Sequence, residues 1–415
     1  MANTGSEASW SQDLRTGLKL NDAFQAEQFP LKPRVAIYQA AFKERLMERG
    51  DIQHLKLSSG GNVHKFTRHV RVKDFHQIIA SLGIFVTKHL QHTTMAALGS
   101  RGTVTEASNF KPEADVEKLK SAMKGAGTDE AAIIEIVAHR TIAQRQQIRA
   151  TYKQTVGKDL EDDLRSELTG NFEKVVVGLM MTAPEYDAYE LHNAIKGAGT
   201  EEACLIDILA SRSNAEVREI NAYYKKKYDT TLEDDISGDT SGMFKRVLVS
   251  LTTAGRDTGS NVDDALAAQD AKEIFEAGEA RWGTDEVKFL TVLCVRNRNH
   301  LLKVFEEYKK VSGREIEDSI KREMSGCLED VFLAIVKCIR NKPAFFAERL
   351  YKSMKGLGTT DSILIRIMVA RAEIDMKDIK AEFHKMYGKT LHSFIKGDTS
   401  GDYRKILLEL CGGDN

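Results

Sequence analysis

Four short strings in this 415-residue chain set glycine-rich turns at a constant distance from an acidic side chain. KGAGTDE begins at Lys124, KGAGTEE at Lys196, RWGTDE at Arg281 and KGLGTTD at Lys355. Downstream lie ELTG from Glu167, DTSG from Asp239, EMSG from Glu323 and DTSG from Asp398. From the second loop glycine (Gly127, Gly199, Gly283, Gly358) to the acid is 40 positions each time. One such loop alone reads as a turn between two helices. A helix cap, however, is satisfied locally and needs no acid at a fixed distance. The repeated pairing predicts that two loops meet in space and build a cage of oxygens. That chemistry suits Ca²⁺, a hard cation that takes roughly six to eight oxygens from carbonyls, carboxylates and water. Glycines let the first loop turn its carbonyls inward, and the acid of the second loop chelates. A cage with one carboxylate binds weakly by itself and leaves positions that a lipid phosphate completes. It is not an EF-hand, whose acids crowd into one loop of about twelve residues.

The elements that position these loops are helical. The units recur at 72, 84 and 75 residues, and the longest interval contains TAGRDTGSNVDD, which reads as a linker. In the first unit Ile133, Ile134, Val137, Ile148, Tyr152, Leu160, Leu164 and Leu168 fall at helical steps. Loop Gly and Thr read as a left-handed C-terminal cap and the next N-cap. Strand alternation is scarce. The pattern predicts an all-α fold of four units, each of about five short helices. Composition agrees: 42% hydrophobic and 29% charged residues, with five Pro beside 30 Gly, describe an ordinary folded chain. Lys+Arg is 60 against 61 Asp+Glu, so no bulk field draws the chain to nucleic acid or anionic lipid. Five cysteines, none in C-x-x-C, predict neither structural zinc nor a disulfide framework. No apolar run approaches the ~20 residues needed to span a bilayer, and the cytosol is the expected compartment.

The four units resemble annexin repeats, with the G-x-G-T and distant-acid pattern intact in all four. The stretch WGTDEVKFLTVLC and the tail KGDTSGDYRKILLELCGGDN carry the likeness furthest. The resemblance covers roughly residues 95–415. It implies a curved disc of four repeats at 113–184, 185–256, 266–343 and 344–415, with a short head at 95–112 and a linker at 257–265. It further implies calcium loops on the face that docks on phospholipid. Carried over by position, the ligands are Met123, Gly125, Gly127 and Glu167; Ile195, Gly197, Gly199 and Asp239; Gly278, Arg281, Gly283 and Glu323; and Met354, Gly356, Gly358 and Asp398. Met, Ile and Arg serve there through backbone carbonyls. Trp282, in an exposed loop, is read as an interfacial anchor, with packing in its own repeat as the alternative. Lys124, Lys196, Arg281 and Lys355, assigned to one pre-loop position, are candidates to touch lipid phosphates. Asp187, Glu190, Arg212, Arg366 and Arg371 match the charges between annexin repeats and are read as ion pairs that orient the units. The implied partners are anionic membranes and, on the bilayer, further copies of the chain, with aggregation of vesicles and roles in exocytosis, trafficking or repair.

Three other readings compete. An enzyme finds no support, since no loop completes a nucleotide-binding motif; His89 and His92 lack further ligands, and Cys294 and His300 lack an orienting third group. No small-molecule substrate is expected. A metal-independent helical scaffold would show no response to Ca²⁺. An RNA-binding array conflicts with the neutral charge. Residues 1–94 match no repeat and hold six of the eleven histidines, with 13 Lys+Arg against 8 Asp+Glu. They are expected to be a poorly ordered extension, alternative or mispredicted, upstream of a usual start at Met95.

Overall fold

The computed structural model describes residues 101–414, apart from Ala126, Ala198 and residues 280–282. The expected extension and the start at Met95 lie outside the described residues, as do Arg281 and Trp282. The described residues form 19 helices and no strand. The first unit holds α1 (Pro112–Ala122), α2 (Glu130–Val137), α3 (Ile142–Val156), α4 (Leu160–Glu167) and α5 (Gly170–Met180). The second holds α6 (Ala183–Ile195), α7 (Glu202–Ser211), α8 (Asn214–Tyr228), α9 (Leu232–Asp239) and α10 (Gly242–Thr252). The third runs through α11 (Asp264–Ala277), α12 (Glu286–Leu293), α13 (Arg298–Ser312) and α14 (Ile316–Glu323) into the long α15 (Gly326–Met354). The fourth continues with α16 (Asp361–Arg371), α17 (Met376–Tyr387), α18 (Leu391–Asp398) and α19 (Gly401–Cys411).

Helix α15 is two helices without a loop. Asn341 leaves helical geometry (φ −154°, ψ 95°) two residues before Pro343. Its side-chain oxygen then accepts from the Ala344 amide at 3.1 Å, an N-cap that restarts the helix. Counting both arms gives five helices per unit. The segment before α11 is tied to the third unit: the Asp257 amide donates to Val295 O at 2.7 Å, and Asn297 Nδ2 donates to Asp257 Oδ2 at 2.8 Å.

Local signals explain the helix ends. Thr141 and Gln144 form a capping box at the start of α3, which stops at left-handed Gly157. Ser213 and Glu216 repeat the box at α8. The apolar residues read from the first unit are all buried, and they join one core cluster that runs through the four units. Charged groups cross between units too. Arg145 is 2% exposed and pairs with Glu373 of the fourth unit, whose carboxylate also accepts the Ile142 amide at 2.8 Å at the start of α3. Burial lowers the Arg145 pKa to about 10 against the pull of Glu373.

Candidate metal centre

The two loops of each unit meet, and a threonine joins them. Thr128 Oγ1 donates to the carboxylate and the backbone oxygen of Glu167, both at 3.5 Å. Thr200 reaches Asp239 Oδ2 at 2.5 Å and Asp239 O at 3.4 Å. Thr284 reaches Glu323 Oε2 at 3.2 Å and Glu323 O at 3.3 Å. Thr359 makes the same pair of bonds to Asp398. These threonines are not N-caps, contrary to the sequence reading. That position falls one residue later, where Asp129 accepts the Ala132 amide at 3.0 Å. A hydroxyl spent on the distant acid fixes that acid over the glycine loop.

Nor do the loop glycines cap the preceding helices. Those caps are Met123, Lys196, Gly278 and Lys355, none with a positive φ. The left-handed backbone comes later, at Gly125 (φ +113°) and Gly127 (φ +99°), and again at Gly356 (φ +115°) and Gly358 (φ +90°). Beyond the chain neighbours, no atom lies within 4 Å of where a Cβ would stand at these four glycines, so these positions face open space. Gly125→Ala therefore meets no clash. Its expected penalty is backbone strain of about 1–2 kcal/mol, read as a raised calcium midpoint with a nearly unchanged thermal melt.

A backbone bond closes each loop. The amides of Asp129, Glu201, Asp285 and Thr360 donate to Ala122, Ala194, Ala277 and Ser353 at 2.9, 2.9, 2.7 and 2.8 Å. The span is seven residues in three units and eight in the third, which therefore carries one extra residue. Met123, Ile195, Gly278 and Met354 directly follow the closing carbonyl and so correspond. Lys124, Lys196 and Lys355 come next, and Glu279 takes that place in the third unit. Arg281 is thus not the counterpart of the three lysines; the inserted residue shifts the register. Glu279 is held by Arg314 at 2.6 Å and by Ser319 at 2.5 Å. The three lysines are exposed, with Lys355 Nζ 5.3 Å from the Tyr351 ring centroid.

The donor set suits a hard cation held mainly by carbonyls. Each loop pair offers one carboxylate at the surface, and the described residues contain no cluster of three or more His, Cys, Asp or Glu. Met354 is buried and Met123 and Ile195 are half-buried, so their backbone oxygens, not their side chains, are the candidate donors, and that of Ile195 also accepts the Gly197 amide at 3.1 Å. The loop pairs are also neighbours across units. Lys124, Gly127 and Thr128 line one open depression with Asp402 and Lys405 at the start of α19. Glu201, at the second loop, accepts from Ser362 Oγ in the first turn of α16 at 3.0 Å.

All five charges read as structural pairs are paired, but only Arg366 and Glu190 pair across units. Arg212 and Asp187 lie within the second unit and Arg371 and Asp375 within the fourth, so the inter-unit reading holds for one pair of the three. Arg212 holds Asp187 at 2.7 Å, and Arg366 reaches Glu190 at 3.3 Å. Arg371 bonds Asp375 at 2.6 Å and lies 4.9 Å from the centroid of the Phe346 ring. The five thiols are free, and four are buried. Burial pushes Cys294 up to about 11 and Cys338 and Cys411 up to about 12, so these stay protonated and poorly nucleophilic at neutral pH.

Four five-helix units, each with a threonine-clamped pair of loops, define a class of helical-repeat protein. The annexin family model matches residues 114–179, 186–251, 269–335 and 345–410. Annexin A4 of Sus scrofa is 64% identical over 321 residues, which span 77% of this chain and 100% of that protein. The structure of annexin III aligns with a TM-score of 0.75 at 48% identity, covering 76% of this chain and 98% of its own. That of calcium-bound annexin (Sm)1 aligns with a TM-score of 0.67 at 34% identity, covering 76% and 94%. The chain belongs to the annexin family.

Proposed function

We propose that this protein binds anionic phospholipid reversibly and only when calcium is present, through its four loop pairs. The observation that carries the reading is the threonine clamp. In every unit it joins one carboxylate to the start of the helix that follows the glycine loop. Met123, Gly125, Gly127 and Glu167 would hold the ion in the first unit. Ile195, Gly197, Gly199 and Asp239 would hold it in the second, Gly278, Arg281, Gly283 and Glu323 in the third, and Met354, Gly356, Gly358 and Asp398 in the fourth. Bound Ca²⁺ supplies positive charge and open coordination positions to lipid phosphate oxygens. Lys124, Lys196 and Lys355 stand beside the loops as further phosphate contacts, and Trp282 serves as an interfacial anchor. A net charge of −1 gives the chain no attraction to anionic lipid without the ion. Four weak sites on one packed body then act together, which steepens the response. No described helix is long and apolar enough to cross a membrane, which fits peripheral docking on the cytosolic face. Lateral self-association and aggregation of vesicles, in exocytosis, trafficking or repair, extend the same reading. The role is binding, not catalysis.

The test is co-sedimentation of the full chain with phosphatidylserine vesicles. Pelleting in calcium and release by chelator are expected. A folded chain that stays in the supernatant in millimolar calcium would leave the loops as connectors of a metal-independent scaffold.

A further inference from the structure

Residues Asp129, Glu201, Asp285 and Thr360 occupy one position, since each donates the amide that closes its loop. Their side chains are used differently. Asp129 caps its own helix through the Ala132 amide. Glu201 does not cap α7. Its carboxylate, one methylene longer, crosses to the fourth unit. Glu201 Oε1 accepts from Ser362 Oγ at 3.0 Å and from Arg366 Nη1 at 3.4 Å. Ser362 lies in the first turn of α16, three residues after Thr359, which clamps Asp398. Glu201 itself follows Thr200, which clamps Asp239. Two clamps and two loop closures are therefore joined by one side chain. Arg366, 2% exposed and also bonded to Asp207 of α7 at 3.4 Å, anchors the bridge to the core.

We propose that Glu201 is a positioning residue that couples the calcium loops of the second and fourth units, so that filling one pre-orders the other. The inference rests on the calcium-docking reading above. Ordering a loop consumes conformational entropy. Where two loops share a brace, the first ion bears part of the ordering for both, and the second binds more tightly. Coupling between sites is reciprocal and commonly changes affinity about fivefold or more. A partly exposed bridge, with Glu201 at 43%, belongs at the low end of that range.

The experiment uses the full chain with Glu167→Gln and Glu323→Gln, leaving the second and fourth loop pairs competent. Calcium binding is measured by equilibrium dialysis without membrane, because vesicles would couple the sites by avidity alone. Asp398→Asn then leaves the second loop pair by itself, and Asp239→Asn the fourth. The two-site isotherm is expected to be steeper than the sum of these two single-site curves, with about fivefold tightening of the second ion. Glu201→Asp, too short to cross, and Ser362→Ala, which removes the donor, are each expected to reduce it to that sum. Without calcium, both are also expected to speed amide exchange in the first turn of α16, including the Leu364 amide. A two-site curve that already equals the sum would overturn the coupling and leave the docking reading standing. So would steepness untouched by both bridge variants. No calcium binding at either loop pair would overturn both.

Discussion

Replacing Glu167 and Glu323 by Gln and Asp239 and Asp398 by Asn in one chain abolishes calcium-dependent pelleting at concentrations that saturate the parent. The midpoint is expected to rise by about 100-fold or more, because avidity over several sites multiplies the single-site losses. Each acid is the one carboxylate proposed as a ligand in its loop pair, and a neutral amide cannot match a carboxylate's attraction for a doubly charged ion. The amide oxygen still accepts the threonine hydroxyl, so the loops stay joined and the fold is retained. Single replacements, such as Glu167→Gln, shift the midpoint upward by a smaller factor. The readouts are co-sedimentation against calcium and a thermal melt in chelator. A fourfold variant that pellets like the parent would show that these acids are not the ligands.

Arg366→Ala has the largest expected effect on stability. The guanidinium reaches Glu190 at 3.3 Å, Asp207 at 3.4 Å and Glu201 at 3.4 Å, two units away from its own helix neighbours. Burial by itself would lower the Arg366 pKa, but nearby Cys204, Asp207, Glu190 and Glu201 outweigh it and raise it. Arg349, also from the fourth unit, bonds the same Asp207 at 2.7 Å, so Asp207 keeps a partner when Arg366 is removed. Glu190 does not. Breaking a buried pair from one side typically costs about 3–5 kcal/mol, a large fraction of the ~5–15 kcal/mol that holds a domain together. Urea unfolding at neutral pH is the measurement.

The sign of the pH dependence follows from Glu190. Its carboxyl is raised by burial, with Arg366 pulling the other way, and removing Arg366 raises it further. A carboxyl whose folded pKa lies above its unfolded value contributes stability at low pH that is lost as pH rises through the folded value. The Arg366→Ala deficit is therefore expected to be smaller in mildly acidic buffer than at neutral pH. A deficit independent of pH would mean that Glu190 finds another partner.

How much of this could be read without the structure differs by feature. Helix content and the core were legible because an apolar stripe at three- and four-residue steps has few other outcomes: Ile133, Ile148 and Leu164 are each at 0% exposure. The pairing of each glycine loop with an acid 40 positions on was legible because four copies hold that spacing. The role of the loop threonines was not. A Thr before a helix is usually an N-cap, and only the approach of the second loop shows that its hydroxyl serves Glu167, Asp239, Glu323 and Asp398 instead.

The chain alone determined the repeat number, the helical class and which acid each glycine loop meets, because these rest on local periodicity and on spacing within a unit. The tertiary structure decided what depends on neighbours distant in sequence. The third loop is one residue longer in sequence, but only the closing bonds show where the longer loop begins and ends, and counted from the Ala277 carbonyl Glu279 stands where the other units carry lysine. The restart at Asn341 needs a side-chain cap that a helical pattern conceals. Whether Arg371 meets an acid on the first helix of its unit or Asp375 at the start of the next helix depends on Phe346, which stands where the other units hold Asp115, Asp187 and Asp270 against Arg140, Arg212 and Arg296. The bridge from Glu201 to Ser362 joins residues 161 positions apart. No local rule encodes such a contact, because a side chain's partner across an interface is chosen by how whole units pack.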